Sequence, residues 1–143
     1  MLYPLVGYAS EVTVDRFLND FTIRDCALDG DYVWCATEDH GIIRFDTRDK
    51  LWTEVIPENV SPADRYLSVE VDRTGVKWFG APTGIYRYDG TTWQRFHTET
   101  GLVPGPNYEL AVTGIFADND NVMWFVDFNN GIAEYDGTAW QVV

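Results

Sequence analysis

The chemically densest stretch of the chain is Glu38-Asp39-His40. A histidine beside carboxylates has the makings of a general base, because imidazole titrates near neutral pH and a carboxylate can orient it. It also has the makings of half a metal site. Both roles need further ligands or a nucleophile, and no second His or Cys stands nearby in sequence. The other histidine, His97, follows a predicted strand at a sheet edge and reads as surface. The triplet therefore reads first as a solvated loop. The acidic turns at 29–31 and 118–120 suggest calcium, since alternating carboxylates suit that cation. Neither carries the Glu that an EF-hand loop places at its twelfth position, and turn chemistry explains them better. Phosphate loops, serine nucleophile elbows and zinc spacings are absent from the sequence. Cys26 and Cys35 flank a turn around Gly30-Asp31, so a two-residue turn would set them face to face across two antiparallel strands. They read as two small buried hydrophobes, and such a pair does not fix the redox compartment.

What must position these residues is a repeat. Trp34, Trp78 and Trp124 lie 44 and 46 apart, and Gly41, Gly84 and Gly131 lie 43 and 47 apart. Asp46, Asp89 and Asp136 each follow an aromatic residue, and Trp52, Trp93 and Trp140 close the set. Each unit parses as four short strands, in the middle copy about 66–72, 76–81, 84–89 and 93–97. Asp72 to Gly75 supplies a turn with a backbone-binding carboxylate and a left-handed glycine. Asn121 takes the glycine position in the third unit, and the first unit is one residue shorter there. Asp89-Gly90 and Asp136-Gly137 are hairpin turns, replaced in the first unit by the longer stretch Asp46 to Lys50. Thr13 to Phe17 matches Thr92 to Phe96 and suggests a stray fourth strand at the N-terminus.

A four-stranded antiparallel unit repeating at roughly 40 to 50 residues is a propeller blade. The expected fold is all-β: a β-propeller segment with an N-terminal strand (1–20) and blades at 21–56, 66–97 and 109–143. Closed propellers have about four to eight blades. Three would leave two bare apolar faces, which monomers seldom tolerate. Other chains or further sequence must complete the ring, and self-association follows as an expectation, most simply as a dimer. The repeated Trp and Tyr, fixed in every unit, are expected to pack blade on blade rather than to stack sugars.

Composition narrows the partners. Ten basic side chains against twenty-three acidic ones give a net charge of −13, which disfavours nucleic acid and anionic lipid. Acidity of this kind also simply maintains solubility. No apolar run reaches the roughly 18 to 20 residues of a membrane helix. The opening MLYPLVGYAS lacks Lys and Arg and is broken by Pro, so it makes a poor signal peptide.

The repeats resemble the two-component regulator propeller repeat, whose blades read D-x-x-G-x-x-W-[FV]-G-T-x-x-G-[LIV]-x-x-[FY]-D. Residues 72–89, DRTGVKWFGAPTGIYRYD, follow it almost throughout. Residues 118–136 keep the Asp, Trp, Gly and Tyr-Asp but have Asn121 and Val126 in place of Gly; residues 29–46 have Cys35-Ala36-Thr37 for F-G-T. The resemblance implies a module from the extracytoplasmic part of a bacterial sensor or from a secreted protein, with a polar ligand such as a glycan. Ligands of such propellers sit on the face carrying the turns between second and third strands. Here those turns hold Glu38, Asp39 and His40, then Pro82 and Thr83, then Asp127, Phe128 and Asn129, flanked by the links 57–65 and 98–109. The reading is a non-catalytic binding or assembly module, with no cofactor and no metal. The alternative is a lyase or hydrolase related to streptogramin lyases, with His40 as base.

Overall fold

A computed structural model describes residue 18 and residues 20–97, 100–102 and 110–143. The N-terminal strand suggested at Thr13 to Phe17 lies outside the described residues, as does most of the link 98–109. Among the described residues, twelve strands form three four-stranded antiparallel sheets. The first holds β1 (Ile23–Asp29), β2 (Tyr32–Thr37), β3 (Ile42–Asp46) and β4 (Trp52–Val55). The second holds β5 (Ser68–Val71), β6 (Lys77–Ala81), β7 (Gly84–Tyr88) and β8 (Trp93–Phe96). The third holds β9 (Val112–Ala117), β10 (Met123–Asp127), β11 (Gly131–Tyr135) and β12 (Trp140–Val142). Each sheet is a meander in chain order, so every sheet is one blade. The chain is thus an all-β propeller segment whose ring it does not close by itself. Among the described residues no helix is long and apolar enough to cross a membrane.

Alternation along the strands gives each blade two faces. Trp34 of β2 faces the second blade, with ring centroids 6.1 Å from Phe79 and 6.0 Å from Tyr88. Trp78 of β6 faces the third, 5.5 Å from Phe125 and 5.6 Å from Tyr135. Two cores result, one in each gap between blades, built around Trp34, Tyr66, Phe79 and Tyr86 and around Trp78, Phe96, Phe125 and Met123. In the third repeat Trp124 faces away from both gaps, stacked at 6.2 Å on Phe116, which is 48% exposed. Trp34, Trp78, Tyr88, Trp93, Tyr135 and Trp140 thus pack into the gaps between blades, as expected of the repeated aromatics, whereas Trp52, 51% exposed, and Trp124 do not.

Of the two turns that suggested calcium, the one at 118–120 is a clamp for the next strand, built like the Asp72 turn of the second blade, whereas Asp29 of the turn at 29–31 makes a different contact. Asp72 Oδ1 accepts from Thr74 N (2.8 Å), Thr74 Oγ1 (2.7 Å) and Val76 N (3.1 Å), while Oδ2 accepts from Trp78 Nε1 at 3.2 Å. Asp118 does the same for Asp120 N, Val122 N and Trp124 Nε1. Asn121, with φ 63°, stands in the left-handed position that Gly75 occupies at φ 84°. In both blades the Asp precedes its Trp by six residues; in the first blade the shorter turn puts Asp29 only five before Trp34. The indole Nε1 of Trp34 is left buried without a partner. Asp29 turns to the neighbouring blade instead and pairs with Lys77 Nζ at 2.5 Å, and that ammonium sits 5.4 Å from the centre of the Trp34 ring. A one-residue deletion has thus replaced a hydrogen bond within a blade by a charge contact between blades.

Backbone bonds also tie the blades at the end that carries the turns between second and third strands. Tyr66 N donates to Thr37 O (2.9 Å) and Leu110 N to Pro82 O (3.0 Å). Side chains reach across as well: Asp25 Oδ2 accepts from Val69 N at 3.0 Å, and Ser68 Oγ donates to Val112 O at 2.7 Å.

Candidate functional site

The antiparallel meander places the β2–β3, β6–β7 and β10–β11 turns at one end of the blades, together with the links between blades. The first of these turns is built on Thr37, whose hydroxyl is fully buried. That hydroxyl donates to Gly41 O and accepts from His40 N, both at 2.9 Å, and so fixes the loop. Gly41 takes φ 66°, closing a turn that a side chain would strain.

Within this loop the three candidate groups are partnered. Glu38 accepts from Arg24 Nε at 2.8 Å and from Arg65 Nη1 at 3.3 Å. The hydrogen bond from Arg24 is the main reason its carboxyl is held below the usual range. Asp39 accepts from Thr22 N (3.1 Å) and Thr22 Oγ1 (2.9 Å), and its Oδ1 lies 3.0 Å from His40 Nδ1. The contact with His40, helped by Thr22, lowers Asp39 to about 2. The edge of Phe21 meets the His40 ring with centroids 4.7 Å apart. His40 is thereby oriented by a carboxylate and an aromatic edge while its side chain keeps 45% of its exposure.

Two clefts open here. One of about 240 Å³ is lined by Asp39, His40, Glu54, Pro57, Asp64 and Tyr66. The second, about 330 Å³, lies on the other side of the Ala63–Asp64 link and is lined by Arg65, Pro82 and Thr83. Tyr66 is buried to 1%, which raises its phenol, and its oxygen accepts from Ala63 N at 3.1 Å. Tyr86 donates to Ser61 O at 2.8 Å, so the Thr83 hydroxyl 2.9 Å away must be the donor to Tyr86. Both contacts brace the link from beneath. Asp39 and His40 thus line the first cleft and Pro82 and Thr83 the second, while Glu38 lines neither and reaches the second only through its contact with Arg65. Asp127, Phe128 and Asn129 line neither cleft. Asp127 is buried and spends its carboxylate on Ala111 N, Asn129 N and Asn130 Nδ2, whereas Phe128 is 80% exposed beside the exposed Asn129.

A third cleft, of about 360 Å³, lies at the opposite end between the second and third blades, where Asp72, Trp78 and Arg87 border it. Its polar lining combines the Asp72 clamp with Arg87, whose guanidinium lies 5.7 Å from the centre of the Trp78 ring, and Gln94. Among the described residues no three His, Cys, Asp or Glu side chains gather to hold a metal ion.

Acid should loosen this end of the molecule. Asp39 titrates at about 2, below the roughly 3.9 of an unfolded Asp. A depressed carboxyl contributes stability that is present above about pH 4 and is lost as pH falls through about 2. Asp136, lowered to about 2 mainly by the Ala139 and Thr138 hydrogen bonds, adds to the same window. The thermal midpoint is expected to fall between about pH 4 and 2, with a shallower fall in Asp39→Asn. An unchanged profile in that variant would show that Asp39 does not contribute.

Sequence reasoning did not single out Arg24, Thr22, Glu54 or Asp64. Their role depends on register and on the path of the link, and no local motif carries it. The one signal was that the link 57–65 differs between repeats.

No protein-family model matches the chain, and no curated protein matches it in sequence. Solved structures do match its shape. The extracellular domain of BT4673 from B. thetaiotaomicron superposes with a TM-score of 0.70 at 16% identity over 85% of this chain. Virginiamycin B lyase from Staphylococcus aureus, in a catalytically inactive His-to-Ala form with Quinupristin, superposes with a TM-score of 0.64 at 18% identity over 90% of this chain. The chain spans 16% of the first and 43% of the second. At these identities the likeness establishes the fold, and the class is that of β-propeller modules.

Proposed function

We propose that the chain is a non-catalytic propeller module that binds a small polar ligand of the glycan class and assembles through its outer blade faces. It would act as the sensing part of a bacterial signalling or secreted protein, outside the cytoplasm. The observation that carries this reading is the pair of clefts along the 57–66 link, where Asp39, Glu54, Asp64 and the Thr83 hydroxyl oxygen offer acceptors and Arg65 offers donors. Hydroxyl-rich ligands suit such a surface, since each hydroxyl both donates and accepts. Fold likeness to an extracellular domain favours the compartment. Thermal-shift screening against neutral and basic oligosaccharides is expected to give one stabilising class, with the shift lost in Asp64→Asn. No shift with any saccharide, alongside turnover of some substrate, would sink the reading.

A second reading is favoured by one contact: His40 Nδ1 lies 3.0 Å from Asp39, the arrangement that orients a general base. A lyase with this fold is among the similar structures. His40→Ala would then abolish an activity that the native chain shows, whereas the binding reading expects no activity to abolish.

Assembly rests on the open face of the third blade. Trp124 and Ile132 stand where Trp34 and Ile42, and Trp78 and Ile85, pack between blades, yet Ile132 is 38% exposed. Covering such a face favours association, and two chains would bring six blades together. Light scattering is expected to give a dimer; a soluble monomer that persists at high concentration contradicts this.

A further inference from the structure

We infer that Cys26 and Cys35 form a redox-reversible site, a cross-strand dithiol that closes to a disulfide without rearrangement of the blade. The two residues pair directly in the β1–β2 ladder, and their sulfurs lie 3.1 Å apart. Register explains why the pair is suited to bonding. Asp29 and Tyr32 flank the two-residue turn Gly30-Asp31, with Gly30 at φ 58°. In such hairpins the flanking pair is hydrogen-bonded, and the ladder alternates from there. Leu28 with Val33 is then a non-bonded pair, Ala27 with Trp34 a bonded one, and Cys26 with Cys35 a non-bonded one. Consistent with that count, Cys26 N donates to Asp25 Oδ1 at 2.9 Å. Non-bonded pairs bring Cα atoms to about 4.5 Å, inside the span of roughly 4.4 to 6.8 Å that a disulfide accepts.

The two thiols are not equivalent. Cys26 is exposed, whereas Cys35 is 1% exposed. The contact with Cys35 lowers the Cys26 thiol, and the same contact together with burial pushes Cys35 up. Cys26 is thus the attacking sulfur and Cys35 the resolving one. With a small-molecule disulfide as oxidant, Cys26 thiolate attacks one sulfur and expels the other half as thiolate. Cys35 then loses its proton to solvent and attacks the Cys26 sulfur, expelling the second half. Two protein thiols lose two electrons and two protons, and one small disulfide becomes two small thiols.

The test is oxidation of the native reduced chain with oxidised glutathione, followed by alkylation and mass spectrometry with peptide mapping. Wild type is expected to lose two hydrogen masses, to hold no glutathione, and to show a peptide linking the two cysteines. Reduced glutathione should restore both alkylation sites without unfolding. Cys35→Ser should stop at a glutathione adduct on Cys26, and Cys26→Ser should react at least tenfold more slowly. A lasting adduct on wild type, bonds only between chains, thiols that stay alkylatable, or a disulfide reducible only in denaturant would each overturn the proposal. If either variant fails to fold, the wild-type measurement decides alone.

Discussion

Trp78→Ala is expected to lower the stability of the chain by about 3–5 kcal/mol, the range for truncating a large buried aromatic. Trp78 is 2% exposed in the middle of the gap between the second and third blades. Its ring meets Phe96, Phe125 and Tyr135, and the Arg87 guanidinium lies 5.7 Å from its centre. Its Nε1 is also a donor to Asp72, so the substitution removes packing and a clamp together. Trp124→Ala is the control. It deletes the same side chain with the same Asp hydrogen bond, at 3.1 Å, but from a face with a neighbour on one side only. In urea unfolding at concentrations low enough to keep the chains apart, Trp124→Ala should therefore show a much smaller loss. Equal losses would mean that burial between blades does not govern the fold.

Gly80→Ala should destabilise by about 1–3 kcal/mol through overpacking. A Cβ at this position would lie 2.5 Å from Ser68 Oγ, 2.5 Å from Val112 O and 2.8 Å from Val112 Cγ1. One of these atoms is backbone, so the third blade would have to move as a body. The first blade carries Ala36 at the same place in the register, and there the bridging side chain is longer. Asp25 spans the first gap to Val69 N, whereas the shorter Ser68 spans the second to Val112 O. At the second gap Ser68 and Val112 approach Gly80 so closely that no room is left for a methyl group. A thermal midpoint for Gly80→Ala within about 1 °C of native would refute this account.

Much of the fold is legible in the sequence because each blade announces itself locally. The middle unit's strands, expected at 66–72, 76–81, 84–89 and 93–97, lie at Ser68–Val71, Lys77–Ala81, Gly84–Tyr88 and Trp93–Phe96. The Trp, Gly and aromatic-Asp markers recur because every blade solves the same packing and turn problems. The Asp118 turn, which also suggested calcium, is built like the Asp72 turn for the same reason. Glu38 is different. Its partners Arg24 and Arg65 are fourteen and twenty-seven residues away and come together only through sheet register and the path of a link. Asp127 is expected at a ligand-contacting turn, yet the Ala111 N–H claims its carboxylate. The shortened first turn is visible in the sequence, but its consequence for Trp34 Nε1 needs three dimensions.

Because each strand pairs only with its neighbours in the chain, the cost of closing loops is small and blades can form independently. Cooperativity then comes only from the gaps between blades, as in a one-dimensional array. The second blade is held on both faces, while within the described chain the third is coupled through one. Unfolding is therefore graded rather than uniform, and ring closure by additional blades would convert three loosely ordered steps into one.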